Sequence, residues 1–189
     1  MIVYFKFIQL LYRYFKSWKN TLDKILLKIG IISDTHDCIG NIKKSVKIFK
    51  HNETSFVLHA GDYINPEAVR SFQSTKLIGV LGNNDVDIDG LDDAFNEIGG
   101  DLKGELYEFN EGSIKFALYH GTSSKQKESL IQSSKYDVVI CGHTHRLEKL
   151  NIDKTMVINP GTAKGWLFGY KATLAIFETQ NKQLEFINI

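Results

Sequence analysis

The stretch Ile29-Gly30-Ile31-Ile32-Ser33-Asp34-Thr35-His36-Asp37 decides how the rest of the chain is read. Its first half is short and apolar and turn-forming residues follow, the pattern of a strand buried on both faces of a parallel sheet. Its second half brings two metal-ligating side chains, Asp34 and His36, two positions apart. In locally extended backbone, residues i and i+2 point the same way, so the pair is able to face one ion. The carboxyl end of such a strand is also where an open α/β sheet places its ligand chemistry. Alone, an Asp-x-His pair reads more readily as a turn with a surface histidine; its weight comes from recurrence downstream.

Four further apolar runs end in the same way. Ser55–Ala60 stops at Gly61-Asp62, Lys76–Leu81 at Gly82-Asn83-Asn84-Asp85, Ser113–Tyr119 at His120-Gly121, and Asp137–Cys141 at Gly142-His143-Thr144-His145. Glycine lets the backbone turn sharply and approach a ligand closely. Neighbouring parallel strands carry their carboxyl ends side by side, so groups distant in sequence converge. The set is Asp34, His36, Asp62, Asn83, His120, His143 and His145. Two carboxylates, an amide and four imidazoles exceed the roughly three protein ligands of one catalytic ion. They suit two ions sharing a carboxylate, and Asp62, alone after a central strand, is the natural bridge. His51, in a polar loop, and His59, inside a strand, read as structural. Mixed nitrogen and oxygen ligation fits two divalent ions of manganese, nickel, cobalt, iron or zinc better than calcium and does not choose among them, manganese being the expected ion.

Between these strands, apolar spacing predicts helices near 41–50, 66–73, 92–98 and 124–132. Alternating runs at 105–109 and 113–119 flank Asn110-Glu111-Gly112 as a hairpin, and the tail reads as strands at 146–151, 155–158, 171–177 and 183–187. An order of βαβα followed by mostly β predicts an α/β fold of two sheets packed face to face, with helices on the outer faces.

A chain of 189 residues, 43% of them hydrophobic, is sized for one domain with a sizeable core. Its net charge of +1 hides an asymmetry. Residues 1–28 hold Lys6, Arg13, Lys16, Lys19, Lys24 and Lys28 against Asp23 alone, or +5, which leaves −4 for the remainder of a chain that totals +1. The acidic body gives no strong nucleic-acid signal. The basic arm places Tyr4, Ile8, Leu11, Phe15, Trp18, Leu22 and Ile25 on one stripe of a helical wheel. Residues 1–27 therefore read as an amphipathic helical extension to a domain at 28–189, suited to a membrane surface, a protein partner or the protein's own body. Charges interrupt it before a spanning length of about 20 apolar residues accumulates, and no signal-peptide pattern is present. The two cysteines, Cys38 and Cys141, form no C-x-x-C and no disulfide framework, which fits a reducing, cytoplasmic setting, peripheral at the membrane if the arm attaches there. Cys38 lies close to the first cluster, Asp34 and His36, and reads as a small packing residue rather than a nucleophile.

Taken in order, Ser33-Asp34-Thr35-His36, Gly61-Asp62, Gly82-Asn83-Asn84-Asp85, His120-Gly121 and Gly142-His143-Thr144-His145 resemble the motifs of the calcineurin-like metallophosphoesterases. Chain size and Asn159-Pro160-Gly161-Thr162 are similar to the compact YfcE/MJ0936-type phosphodiesterase branch. The resemblance covers residues 28–189 and implies a four-layer αββα sandwich. It implies one ion on Asp34, His36, Asp62 and His145 and a second on Asp62, Asn83, His120 and His143. It implies hydrolysis of a small phosphodiester by a metal-bridging hydroxide, with Asn83, Asn84 and His120 acting on the phosphate. The arm has no counterpart in the compact family core. The commonest family motif is Gly-Asn-His-Asp/Glu, whose histidine protonates the leaving group, and this chain has Asn84 there. Other readings of the same scaffold are a phosphomonoesterase, a nuclease, or a partner-binding protein like the retromer subunit Vps29. The complete histidine set separates the chain from the last of these.

Overall fold

Strand β1 (Lys28–Ile32) is buried on both faces from Ile29 onward, as its unbroken apolar run requires. The computed structural model describes residues 27–165, 169 and 171–189. In it β1 pairs in parallel with β2 (Phe56–His59), and β3 (Leu77–Gly79) and β4 (Asp101–Leu102) continue the parallel run. On the other side β10 (Thr173–Glu178) and β11 (Gln183–Asn188) add antiparallel, which completes a six-stranded sheet. A second sheet of five strands runs β5 (Leu106–Glu111), β6 (Ile114–Tyr119), β7 (Val138–Ile140), β9 (Thr155–Pro160) and β8 (Leu147–Ile152). Its central strands β6, β7 and β9 are parallel, with a hairpin partner at each edge.

Alternation along the strands builds the layers. Ile29 and Ile31 of β1, with Leu58 of β2, meet Phe116, Leu118, Val138, Ile140 and Ile158 of the second sheet in a core between the sheets. Ile32, Val57 and Leu77 point the other way, onto Val46 and Phe49 of α1 (Ile39–His51), Val69 of α2 (Pro66–Arg70) and Leu91 and Phe95 of α3 (Ile88–Glu97). Across the molecule Ala117, Val139 and Val157 pack against Ile131 of α4 (Ser124–Gln132). The order is helix, sheet, sheet, helix, the sandwich expected from the sequence. Each fully buried large apolar side chain in these cores stabilises by roughly 1.5–3 kcal/mol.

Three elements differ from expectation. The third helix begins at Ile88 rather than Asp92, because the Asp87 side chain accepts the Gly90 N–H and caps it. The second ends at Arg70, with a turn continuing to Gln73. Strand β4, two residues long, has no sequence pattern of its own and exists through pairing with β3. The expected amphipathic helix lies outside the described residues, apart from Leu27, whose carbonyl accepts from Thr179. Among the described residues no helix is long and apolar enough to cross a membrane.

Register sets up the site. Ile32 lies opposite His59 and His59 opposite Gly79, so β1, β2 and β3 end level. Pairing persists past the strands: the Asp34, His36 and Asp37 N–H groups donate to the Gly61, Asp62 and Tyr63 carbonyls at 3.0, 3.0 and 3.1 Å. In the second sheet the Gly142 N–H donates to the His120 carbonyl at 2.8 Å, which aligns those two ends as well.

Candidate metal centre

Asp34 is fully buried at the end of β1. Its Oδ2 accepts the Ser33 hydroxyl at 2.6 Å and the His143 N–H at 3.1 Å. Its Oδ1 is buried with no hydrogen bond of good geometry, although His145 Nε2 stands 3.1 Å away. His145 Nε2 also stands 3.3 Å from His36 Nε2, and His36 Nε2 is 3.7 Å from Asp62 Oδ2. One ligand atom from each of Asp34, His36, Asp62 and His145 lies within 4.8 Å of all the others. A buried orphan oxygen facing imidazole nitrogens and a second carboxylate is a donor set that fits a divalent cation.

Asp62 Oδ2 carries the cluster onward, 3.4 Å from His120 Nε2, which is 3.1 Å from Asn83 Oδ1. His120 Nδ1 donates to the Ala60 carbonyl at 2.6 Å, so ring orientation is fixed and Nε2 is aimed inward. The His143 ring stands edge-on to His120 with centroids 5.2 Å apart, and His143 itself is exposed. Asn84 donates its backbone N–H to Asp62 Oδ1 at 3.0 Å and its side-chain amide to Asp62 Oδ2 at 2.8 Å. The sequence reading aims that amide at a phosphate; one of its two N–H groups is engaged by Asp62, and one is left. His59 accepts the Gly61 N–H at Nδ1, which makes Nε2 the donor to Thr35 Oγ1, 3.2 Å away. It is a buried, neutral, structural histidine, as its place inside a strand indicates.

The backbone is strained where the ligands sit. Asp34, His36, Asp62, His143 and His145 have φ of 52°, 40°, 63°, 67° and 60°. Asp, Asn and His enter this left-handed region more readily than other side chains, at a cost of roughly 1–3 kcal/mol each. Glycine is required beside them. Gly61 has φ of 94°, and a Cβ on Gly82 would lie 2.1 Å from Asp62 Oδ1.

Two residues to which the sequence reading gave no role in the site hold it in place. The buried Asp85 carboxylate accepts four backbone N–H groups: Asp62 and Gly82 on Oδ2 at 2.8 and 2.7 Å, and Tyr63 and Ile64 on Oδ1 at 2.7 and 2.9 Å. It thereby fixes the turn that presents Asp62. Asn159 donates to the Gly142 carbonyl at 2.7 Å and the Thr144 hydroxyl at 3.1 Å, and accepts the Gly161 N–H at 2.9 Å. Thr162 Oγ1 then donates to the Asp34 carbonyl at 2.9 Å. The Asn159–Thr162 segment thus ties the first and last ligand loops together.

Charge follows geometry. Contact with Asp34 raises the His145 pKa above its ordinary value. Burial works against the charged form of His120, yet its contact with Asp62 raises that pKa too. Each Nε2 faces acceptors, and a proton there satisfies them as a cation would. Burial lowers the His36 and His143 pKa values, leaving both neutral and able to ligate. Burial also opposes charge on Asp62, but His120 and both Asn84 amides hold its carboxyl well below the usual range. Cys141 is inert, its thiol pushed up to about 12 by burial.

An αββα sandwich that gathers Asp, Asn and His at adjoining strand ends has the plan of a metallophosphoesterase. Residues 27–182 match the calcineurin-like phosphoesterase superfamily domain, and the chain belongs to that superfamily. It is 34% identical over 160 residues to Phosphodiesterase MJ0936 of Methanocaldococcus jannaschii, across 83% of this chain and 96% of the relative. A solved archaeal phosphodiesterase superposes with a TM-score of 0.81 at 34% identity, over 86% of this chain and 100% of that one. The phosphoesterase YfcE of E. coli shares the fold, with a TM-score of 0.65 at 16% identity, over 86% of this chain and 100% of that one.

Proposed function

We propose that this chain is a phosphodiesterase working with two divalent cations. One observation carries the reading: Asp62 Oδ2 lies 3.7 Å from His36 Nε2 and 3.4 Å from His120 Nε2, so one oxygen belongs to both donor groups. Asp34, His36 and His145 would hold one ion, Asn83, His120 and His143 the other, and Asp62 both. When bound, such ions supply Lewis acidity toward phosphoryl oxygens and acidify a water molecule. The phosphodiesterase named among the relatives supports a diester as substrate.

The protein's own contribution is to hold and orient. His120 is fixed through Ala60, and Asp62 through Asp85 and Asn84, before any substrate arrives. The second N–H of Asn84 would donate to a phosphate oxygen, but an amide supplies no proton at neutral pH. Esters whose leaving groups depart without protonation, such as aryl esters, are therefore preferred over alkyl esters. The test is turnover of aryl and alkyl phosphodiesters and monoesters by the purified chain with manganese, nickel, cobalt, iron and zinc in turn. Aryl diesters are expected to be fastest. Equal rates for aryl and alkyl diesters would remove the Asn84 argument, and no turnover with any ion would remove the enzymatic reading.

A further inference from the structure

Beside Asn83 lies a cavity of about 310 Å³ that the ligand set does not use. Leu81, Ile88 at the start of α3 and Tyr119 at the end of β6 give it an apolar lining, and Ser123 and Gln126 from the α4 region give it neutral polar groups. The Tyr119 hydroxyl accepts the Ser123 N–H at 2.8 Å, so its own proton is available to donate. Among the described residues lining it, Asp85 and Glu105 are the only charged ones, and none is Lys, Arg or His. The Asp85 carboxylate is taken up by its four backbone N–H groups, which leaves the exposed Glu105 as the charge an incoming group meets.

These features define a substituent. The volume stands at the small end of ligand cavities, which run from roughly 300 to 1,000 Å³, and admits one ring system. Walls that are about as polar as apolar fit an uncharged ring that presents both kinds of surface. An anionic group would find Glu105 and, among the described lining residues, no counter-charge, an arrangement that selects against it. We propose that this cavity takes one uncharged, ring-sized organic substituent of the ester and discriminates against anionic ones. The proposal rests on the phosphodiesterase reading, because Asn83 joins the cavity to the donor set.

Phosphonates test it, since each carries a single substituent on a phosphoryl anchor. Binding of methyl-, phenyl- and 4-carboxyphenylphosphonate to the manganese-loaded full chain is measured by ligand-observed NMR and by competition. Phenylphosphonate is expected to bind about tenfold or more tighter than methylphosphonate, from burial of the ring. The carboxylated ring should lose about fivefold or more against phenyl, a preference that Glu105→Lys reverses. Ile88→Trp and Gln126→Trp fill the cavity from two walls at helical surface positions. Each should weaken phenylphosphonate about tenfold and leave methylphosphonate unchanged. Phenylphosphonate no tighter than methylphosphonate, or weakened by neither Trp variant, overturns the subsite even if diesters turn over. Phosphonate selectivity as expected without diester turnover overturns the phosphodiesterase reading alone.

Discussion

The two halves of the proposed donor set would share Asp62 but are built differently. The half made of Asp34, His36 and His145 is shaped by backbone: all three have positive φ, and Asp34 Oδ1 has no hydrogen bond of good geometry. In the half made of Asn83, His120 and His143 only His143 has positive φ, and side-chain hydrogen bonds orient the other two, above all His120 to the Ala60 carbonyl. In the first half only an ion or a proton resolves the contact between His145, His36 and Asp34. In the second, the orientation of His120 is set in advance. A shared carboxylate lets the prearranged half position the strained one.

The largest effect is expected where the halves meet. Asp62→Ala removes a ligand from both, and turnover should fall at least about a hundredfold as several kcal/mol of Lewis-acid stabilisation is lost. Steady-state kinetics at saturating metal checks it, and a variant with native turnover would break the sharing of Asp62. Next comes Asp85→Ala, which strips four backbone N–H groups of their acceptor. Unsatisfied buried donors cost roughly 1–3 kcal/mol each when water does not reach them, so a loss of about 3–5 kcal/mol in denaturant unfolding is expected. Activity should fall about 10–100-fold, the usual effect of losing a group that orients a ligand. A loss of stability with activity intact would mean that Asp85 serves the fold and not the site.

Protonation distinguishes the halves more finely. The His145 and His120 pKa values are raised by their carboxylates, so metal must displace a proton from each. Metal affinity should therefore rise with pH through the raised histidine range and level off above it. Titration calorimetry in buffers of different ionisation enthalpy should show about one proton released per ion at low pH, declining to none. In the metal-free protein the sign reverses. A histidine whose pKa is raised by folding contributes stability fully below its unfolded value near 6.5 and loses it as pH rises through the folded value. The stability difference between wild type and His145→Gln should accordingly be larger at pH 5.5–6 than at pH 8, by thermal unfolding of chelated samples. The smallest effect is expected from Asn159→Ala, which removes hydrogen bonds between ligand loops and no ligand. About 1–2 kcal/mol of stability should be lost, with activity close to native.

What could be read in the sequence was whatever recurs locally. An apolar run ending in Asp, Asn or His, usually with Gly alongside, is a local signal, and it named Asp34, His36, Asp62 and His145, whose ligand atoms lie within 4.8 Å of one another because level strand ends turn sequence position into spatial proximity. The role of Asp85 was half visible. Its bond to the Gly82 N–H is a local turn of the kind Asp makes. Its other three donors come from residues 62–64, brought there by the β2–β3 pairing, and nothing within the Gly82–Asp85 run announces them. The same holds for Asn159, which reads as a turn residue and acts by reaching Gly142 and Thr144. Strand β4 and the early start of α3 were hidden for related reasons, one existing through its partner and the other through a cap masked by Gly90. The cavity beside Asn83 is built from three separate stretches, 81–88, 105 and 119–126, and has no sequence signature.

Anomalous diffraction from crystals of the chain loaded with manganese tests the shared carboxylate most directly. Two peaks about 3.5–4 Å apart, one on each side of Asp62 Oδ2, are expected, the spacing of a paired-metal site. A single peak among Asp34, His36 and His145, with His120 and Asn83 contacting each other and no ion, would contradict it.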